Sequence, residues 1–162
     1  MRSRFRSLIV SPSLFFVTTS TKDHKFMFHD DELKDRLESE LFSYIPGYAD
    51  ALLGYVIMPS HVHLLVGCRN GGLQLSKFMQ SLKSLTTRKL FRKEGSIWQV
   101  RFDDRLIQNQ AQLQTRLEYI HFNPVKAGLA AQTTEWKLSS AQFWSGELIH
   151  PTLTKSWTWL EK

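Results

Sequence analysis

The sequence predicts an α+β domain, an antiparallel sheet with helices mainly on one face, on three observations. Apolar runs of strand length alternate with stretches whose apolar residues recur at helical spacing, in the order β, α, β, β, α, β, α. Two of the runs, 51–59 and 61–68, are separated only by the turn at Pro59 and Ser60, which makes them neighbours in one sheet. With 162 residues and 42% hydrophobic content the chain is long enough to bury one core. One domain is expected over 1–145, followed by a tail over 146–162.

LFFVTTST (14–21) is rich in β-branched and aromatic residues and reads as the first strand. A polar connection, KDHKFMFHDD, leads to a helix over 30–45, where Leu33, Leu37 and Leu41 line one face and acids in the first turn suit the helix dipole. Pro46 and Gly47 are expected to end it. ALLGYVIMP (51–59) is apolar on both faces, as an interior strand is, and HVHLLVGC follows it as the next. Residues 73–93 carry Leu75, Phe78, Leu82, Leu85 and Leu90 on a helical period, giving a long amphipathic helix. IWQVRFDDRLI (97–107) reads as strand, turn, and strand or loop, with Asp103 and Asp104 in the turn rather than at a metal. The last helix, 109–122, has Asn109 as N-cap and Gln112 at the capping-box position, and Pro124 and Gly128 close it.

A net charge of +6 favours a polyanionic partner, nucleic acid ahead of a membrane surface. The single cysteine, Cys68, excludes an intramolecular disulfide. No stretch approaches the roughly 20 apolar residues of a membrane helix, and Ser11, Pro12 and Ser13 interrupt the apolar segment after Arg2, Arg4 and Arg6, so a leader peptide is discounted. A soluble, cytoplasmic protein is expected.

The stretch YVIMPSHVHLLVG sets two histidines one residue apart in an apolar strand. Side chains alternate along a strand, so Val62, Leu64 and Val66 take the core face and His61, His63 and Leu65 the other. The imidazoles then stand roughly 7 Å apart, close enough to hold one divalent ion or one phosphate. By itself His-x-His is short, and a pair of half-exposed histidines explains it equally well. Zinc with Cys68 as a third ligand is disfavoured, because Cys68 lies five residues after His63 and so on the opposite face. A histidine-triad nucleotide hydrolase needs a third histidine where Leu65 stands.

LEYIHFNPVKAGL (117–129) carries the second signal. On a helical wheel Leu113, Leu117 and Ile120 cluster within about 60°, and Tyr119 sits roughly 130° from that stripe. The core does not claim it. Asn123, one turn on, and Arg116 share its flank, although Pro124 disfavours helical geometry at Asn123. A boundary tyrosine beside a helix stop is the plain alternative.

Taken together, MPSHVHLLV, QSLKSLTTRKL, IWQVRFDDRLI, YIHFNPVKAGL and WKLSSAQFW resemble, in order, segments of the single-tyrosine HUH transposases, most closely the REP-associated tyrosine transposases. FFVTTSTKDHKFMF matches loosely, and the chain beyond 145 matches no segment. The resemblance implies a ferredoxin-like sheet and a metal-dependent enzyme that cuts and rejoins single-stranded DNA beside hairpins through a 5′-phosphotyrosine. It implies Tyr119 as nucleophile, and His61, His63 and Asn123 as ligands of Mg²⁺ or Mn²⁺. Two alternatives stay open: a domesticated protein that holds hairpin or single-stranded DNA with little cleavage, and the histidine-triad hydrolase.

For DNA contacts, Lys83, Arg88, Lys89 and Arg92 charge the long helix, and Arg101, Arg105, Arg116 and Lys126 lie near the proposed site. A solvated helix face explains any single one as well. Trp136, Trp144, Trp157 and Trp159 are expected to anchor the tail by packing. The chain is expected to act as a monomer or homodimer, the tyrosine supplied by the same or a second subunit.

Overall fold

The computed structural model describes residues 6–155; Arg2, Arg4, Trp157 and Trp159 lie outside them. Four strands, β1 (Ser13–Ser20), β2 (Ala51–Met58), β3 (His61–Cys68) and β4 (Asp103–Ile107), form one antiparallel sheet in the order β2-β3-β1-β4. With α1 (Asp31–Tyr48) after β1 and α2 (Gly71–Leu90) after β3, the chain runs βαββαβ, the ferredoxin-like arrangement, and α3 (Gln110–Lys126) and α4 (Ala141–Ser145) are added at its end. IWQV makes only one bridge, Trp98 to Thr21, so regular pairing in this region begins at Asp103.

Two helices cover one face and one covers the other. α1 and α2 pack on Phe15, Val17, Val62, Leu64 and Val66, as the prediction of helices mainly on one face requires. On the opposite face Leu113, Leu117 and Ile120 of α3 meet Phe16, Val56 and Leu65. Gly54 allows α3 to come close: a Cβ there would stand 2.8 Å from a Leu117 methyl and 3.0 Å from one of Ile120.

Helix ends follow their capping chemistry, with two differences from expectation. Asp30 accepts from the Leu33 N–H and Asn109 from that of Gln112, but the Gln112 side chain reaches the Gln108 N–H, one residue beyond the N-cap. α1 and α3 also run through Pro46 and Pro124, to Tyr48 and Lys126. In a last turn proline forfeits one helical hydrogen bond, and the bonds from Ala49 to Ile45 and from Ala127 to Asn123 close the turns around it. Asn123 is therefore helical, one turn above Tyr119.

The segment after α3 covers the outer edge of β2, where a sheet would otherwise expose unpaired backbone. Ile57 N–H donates to Leu138 O, Ser140 N–H to Tyr55 O, and Thr154 N–H to Leu52 O. The Trp136 and Trp144 indoles donate to Ile57 O (3.1 Å) and Leu53 O (2.6 Å), the packing role expected of them. Leu153 is buried in the core, so the expected tail is bound to the domain at least that far. Because Leu53 lies at the irregularity between Leu52 and Gly54, Trp144→Phe should leave its carbonyl without this donor. A loss of about 1–3 kcal/mol is expected in chemical denaturation.

Candidate active site

β3 holds the histidines by alternation: Val62, Leu64 and Val66 enter the α1–α2 core, while Leu65 lies under α3 on the face that also carries His61 and His63. That face is a covered one. His63 is only 4% exposed, stacked on Phe16 (ring centroids 5.4 Å apart, 18° between planes) and edge-on to His61 at 4.8 Å. Its Nδ1 lies 2.8 Å from the Thr18 hydroxyl oxygen. Half-buried His61 lies beside the Asn123 amide, which favours its charged form.

Tyr119 arrives from above on α3. Its position off the buried stripe leaves it 43% exposed, with its ring edge-on to His63 at 5.4 Å and to Phe16 at 6.0 Å. The Arg116 guanidinium stands 4.9 Å over Phe16. A cavity of about 270 Å³ joins Tyr119, His63, Thr18, Asp103, Arg105 and Arg116.

Burial sets the protonation state. It pushes the His63 pKa down to about 3, helped by the Arg116 guanidinium and by the second imidazole, His61, with which a charge would have to compete. His61 is lowered by burial too, against the favourable influence of the Asn123 amide and with a small contribution from His24. Both imidazoles are thus neutral at pH 7 and carry a lone pair, the form a metal ion needs. No group of three or more His, Cys, Asp or Glu side chains suited to a metal occurs among the described residues. The residues that could hold a metal ion here are the two imidazoles and the Asn123 amide beside His61. Cys68 is buried on the opposite face with its thiol pushed up to about 12 by burial, as its place in the strand implies.

The basic residues separate into two layers. Arg105 and Arg116 line the cavity; Lys126 is exposed in the last turn of α3, and Arg101 is exposed two residues before β4. Lys83, Arg88, Lys89 and Arg92 belong to α2 or its end, on the far side of the sheet. Among them Lys83 donates to the carbonyls of Gln99 (2.8 Å) and Arg101 (3.2 Å) and is half-buried, and Lys89 pairs with Glu40 at 2.9 Å. Arg88 and Arg92 are exposed.

Asp103 and Asp104 are in β4 rather than in a turn. The Asp104 carboxylate is buried and paired with Arg6, Asp103 is exposed, and both border the cavity. Sequence reasoning missed Thr18 and Phe16 and set Asp103 aside in a turn, because what joins them is a register no single stretch shows. It also passed over His24, which follows Asp23 in a left-handed backbone pair (φ 55° and 52°) and lies near enough to His61 to depress its protonation.

A family model described as Transposase IS200 like matches residues 13–123, from the start of β1 to Asn123. A Haemophilus influenzae protein assigned as a REP-associated tyrosine transposase is 31% identical over 131 residues, covering 67% of this chain and 74% of that one. An Escherichia coli REP-associated tyrosine transposase is 30% identical over 86 residues, 53% of this chain and 51% of that one. In structure, a REP-associated tyrosine transposase solved bound to a REP hairpin superposes with a TM-score of 0.76 at 21% identity, over 95% of this chain and 92% of that one. The chain belongs to the IS200-like transposase family and, within it, to the REP-associated tyrosine transposases. No helix among the described residues is long and apolar enough to cross a membrane.

The depressed histidines fix the direction of the pH dependence. His121, buried where α3 meets the β2 edge with Nε2 2.7 Å from Ser140 Oγ, is lowered to about 4 by burial. Between the unfolded value near 6.5 and these folded values the unfolded chain binds more protons. The stability these groups contribute is complete above about 6.5 and is lost as pH falls. Thermal unfolding followed from pH 7 to 5 should show a falling Tm, and His121→Gln should flatten the slope by at most about 1.4 kcal/mol per pH unit.

Proposed function

We propose that this chain is a metal-dependent single-stranded DNA endonuclease and strand transferase that acts beside hairpins through a 5′-phosphotyrosine. The observation that carries this reading is the meeting, in one cavity, of the Tyr119 phenol with neutral His63 and the guanidiniums of Arg105 and Arg116. Hairpin DNA is proposed as the partner because the solved relative with this fold is bound to one. The net charge of +6 is consistent with a polyanion.

The Tyr119 oxygen attacks the scissile phosphorus; the P–O bond to the 3′ side breaks, leaving a free 3′-hydroxyl and the 5′-phosphate on tyrosine. A phenol is a weak nucleophile near neutral pH, so the site must stabilise charge on the phosphate. Arg105 and Arg116 face that position and bear the charge that accumulates on its oxygens. Being 43% exposed, Tyr119 can pass its proton to water. His61, His63 and Asn123 would hold Mg²⁺ or Mn²⁺, which when bound supplies Lewis-acid polarisation of the phosphate. The covalent link stores the phosphodiester bond, so an incoming 3′-hydroxyl reverses the step and joins a new strand without ATP.

Incubation with labelled hairpin-bearing single-stranded DNA and Mn²⁺ or Mg²⁺ should give a covalent adduct on a denaturing gel. Tyr119→Phe should abolish it and His61→Ala should reduce it by at least ~100-fold. Tight binding with no adduct across a panel of hairpins would indicate a DNA-holding protein instead. Nucleotide hydrolysis that survives Tyr119→Phe would point to the histidine-triad chemistry.

A further inference from the structure

His63, Thr18 and Asp103 form a cross-strand row. The register pairs Thr18 with His63 on one side and with Asp103 on the other, directly paired residues project to the same face, and all three line the cavity. Thr18 Oγ1 and His63 Nδ1 are 2.8 Å apart. A neutral imidazole has one N–H and one bare nitrogen, and a hydroxyl has one proton and two acceptor lone pairs. Two arrangements fit that distance. If Thr18 donates to Nδ1, the ring proton sits on Nε2 and no lone pair is left there. If Nδ1–H donates to Thr18, Nε2 is bare.

The reading of His63 as a metal ligand distinguishes the two. With Nδ1 committed to Thr18, the nitrogen left for an ion is Nε2, which is bare only when Nδ1–H donates to the hydroxyl oxygen. Phe16, stacked on His63, fixes the plane of the ring in which this bond forms.

We propose that Thr18 is a positioning residue: it accepts from His63 Nδ1–H and so fixes the tautomer that leaves Nε2 as the metal-binding nitrogen. The inference rests on the reading of His61 and His63 as metal ligands. A group that hydrogen-bonds the other ring nitrogen of a metal-binding histidine sets both the ring orientation and the basicity of that ligand. Threonine at position 18 has the side-chain length and the hydroxyl that the role requires, and its β-branch suits a strand.

The test uses full-length protein with ¹⁵N-labelled histidine, metal-free and near neutral pH. Long-range ¹H–¹⁵N spectra of wild type should show His63 protonated at Nδ1. Thr18→Val, close to isosteric, should move the proton to Nε2, the form imidazole prefers in water, and weaken Mn²⁺ binding by roughly 10- to 100-fold. Thr18→Ser should restore both properties, which a purely packing role would not predict. An Nε2–H form in wild type would overturn the proposal. So would a folded Thr18→Val protein with unaltered tautomer and unaltered Mn²⁺ affinity. Wild-type protein that fails to bind Mn²⁺ would overturn the metal reading instead, and the tautomer spectra would still decide the role of Thr18.

Discussion

The site depends on one constraint: β3 is an interior strand buried on both faces. With β2 and β1 on its flanks, its backbone is satisfied within the sheet, so its side chains alone meet the helices. One face must be apolar to seat α1 and α2. On the other, α3 completes the burial, and the imidazoles there lose the hydration that would let them charge. Two imidazoles that stay neutral near neutral pH are therefore a product of packing. The same helix that dehydrates the histidines delivers the tyrosine, so neither part is assembled without the other.

The charge distribution reflects this layering. Arg105 on β4 and Arg116 on α3 are brought to the tyrosine, one by strand alternation and one by helical spacing from Tyr119. The basic end of α2 is on the opposite layer, and part of its charge is committed to the fold. Lys83 ties the segment before β4 to α2 through two carbonyls, and burial lowers its pKa to about 8. A positive residue in the sequence thus has different uses according to which side of the sheet its helix occupies.

Local patterns made much of this legible. Alternation in HVHLLVGC assigned each side chain of β3 to its correct face, and the helical wheel separated Tyr119 from Leu113, Leu117 and Ile120. Those signals are periodic and need no knowledge of neighbours. What they could not show is contact between strands. Thr18 meets His63 only through the β1–β3 register, and Asp103 joins them through β1–β4, pairings set by residues 45 and 85 positions from Thr18. Docking of α3 on the histidine face was equally hidden, because a strand facing a helix and one facing water can share the same alternation. The prolines misled for a local reason: Pro46 and Pro124 read as stops but occupy last turns, where the missing donor costs a single bond.

Gly54 bears on how the tyrosine moves. A Cβ at Gly54 would meet the methyls of Leu117 and Ile120 at 2.8 and 3.0 Å, so α3 seats directly on the backbone of β2. Any rocking of the helix would open a void that close-packed interiors do not tolerate. Rearrangement of Tyr119 is then left to the torsions of one side chain, on the picosecond-to-nanosecond scale of rotamer changes rather than the microsecond scale of helix displacement. The phenol is a fixed post with a short swivel.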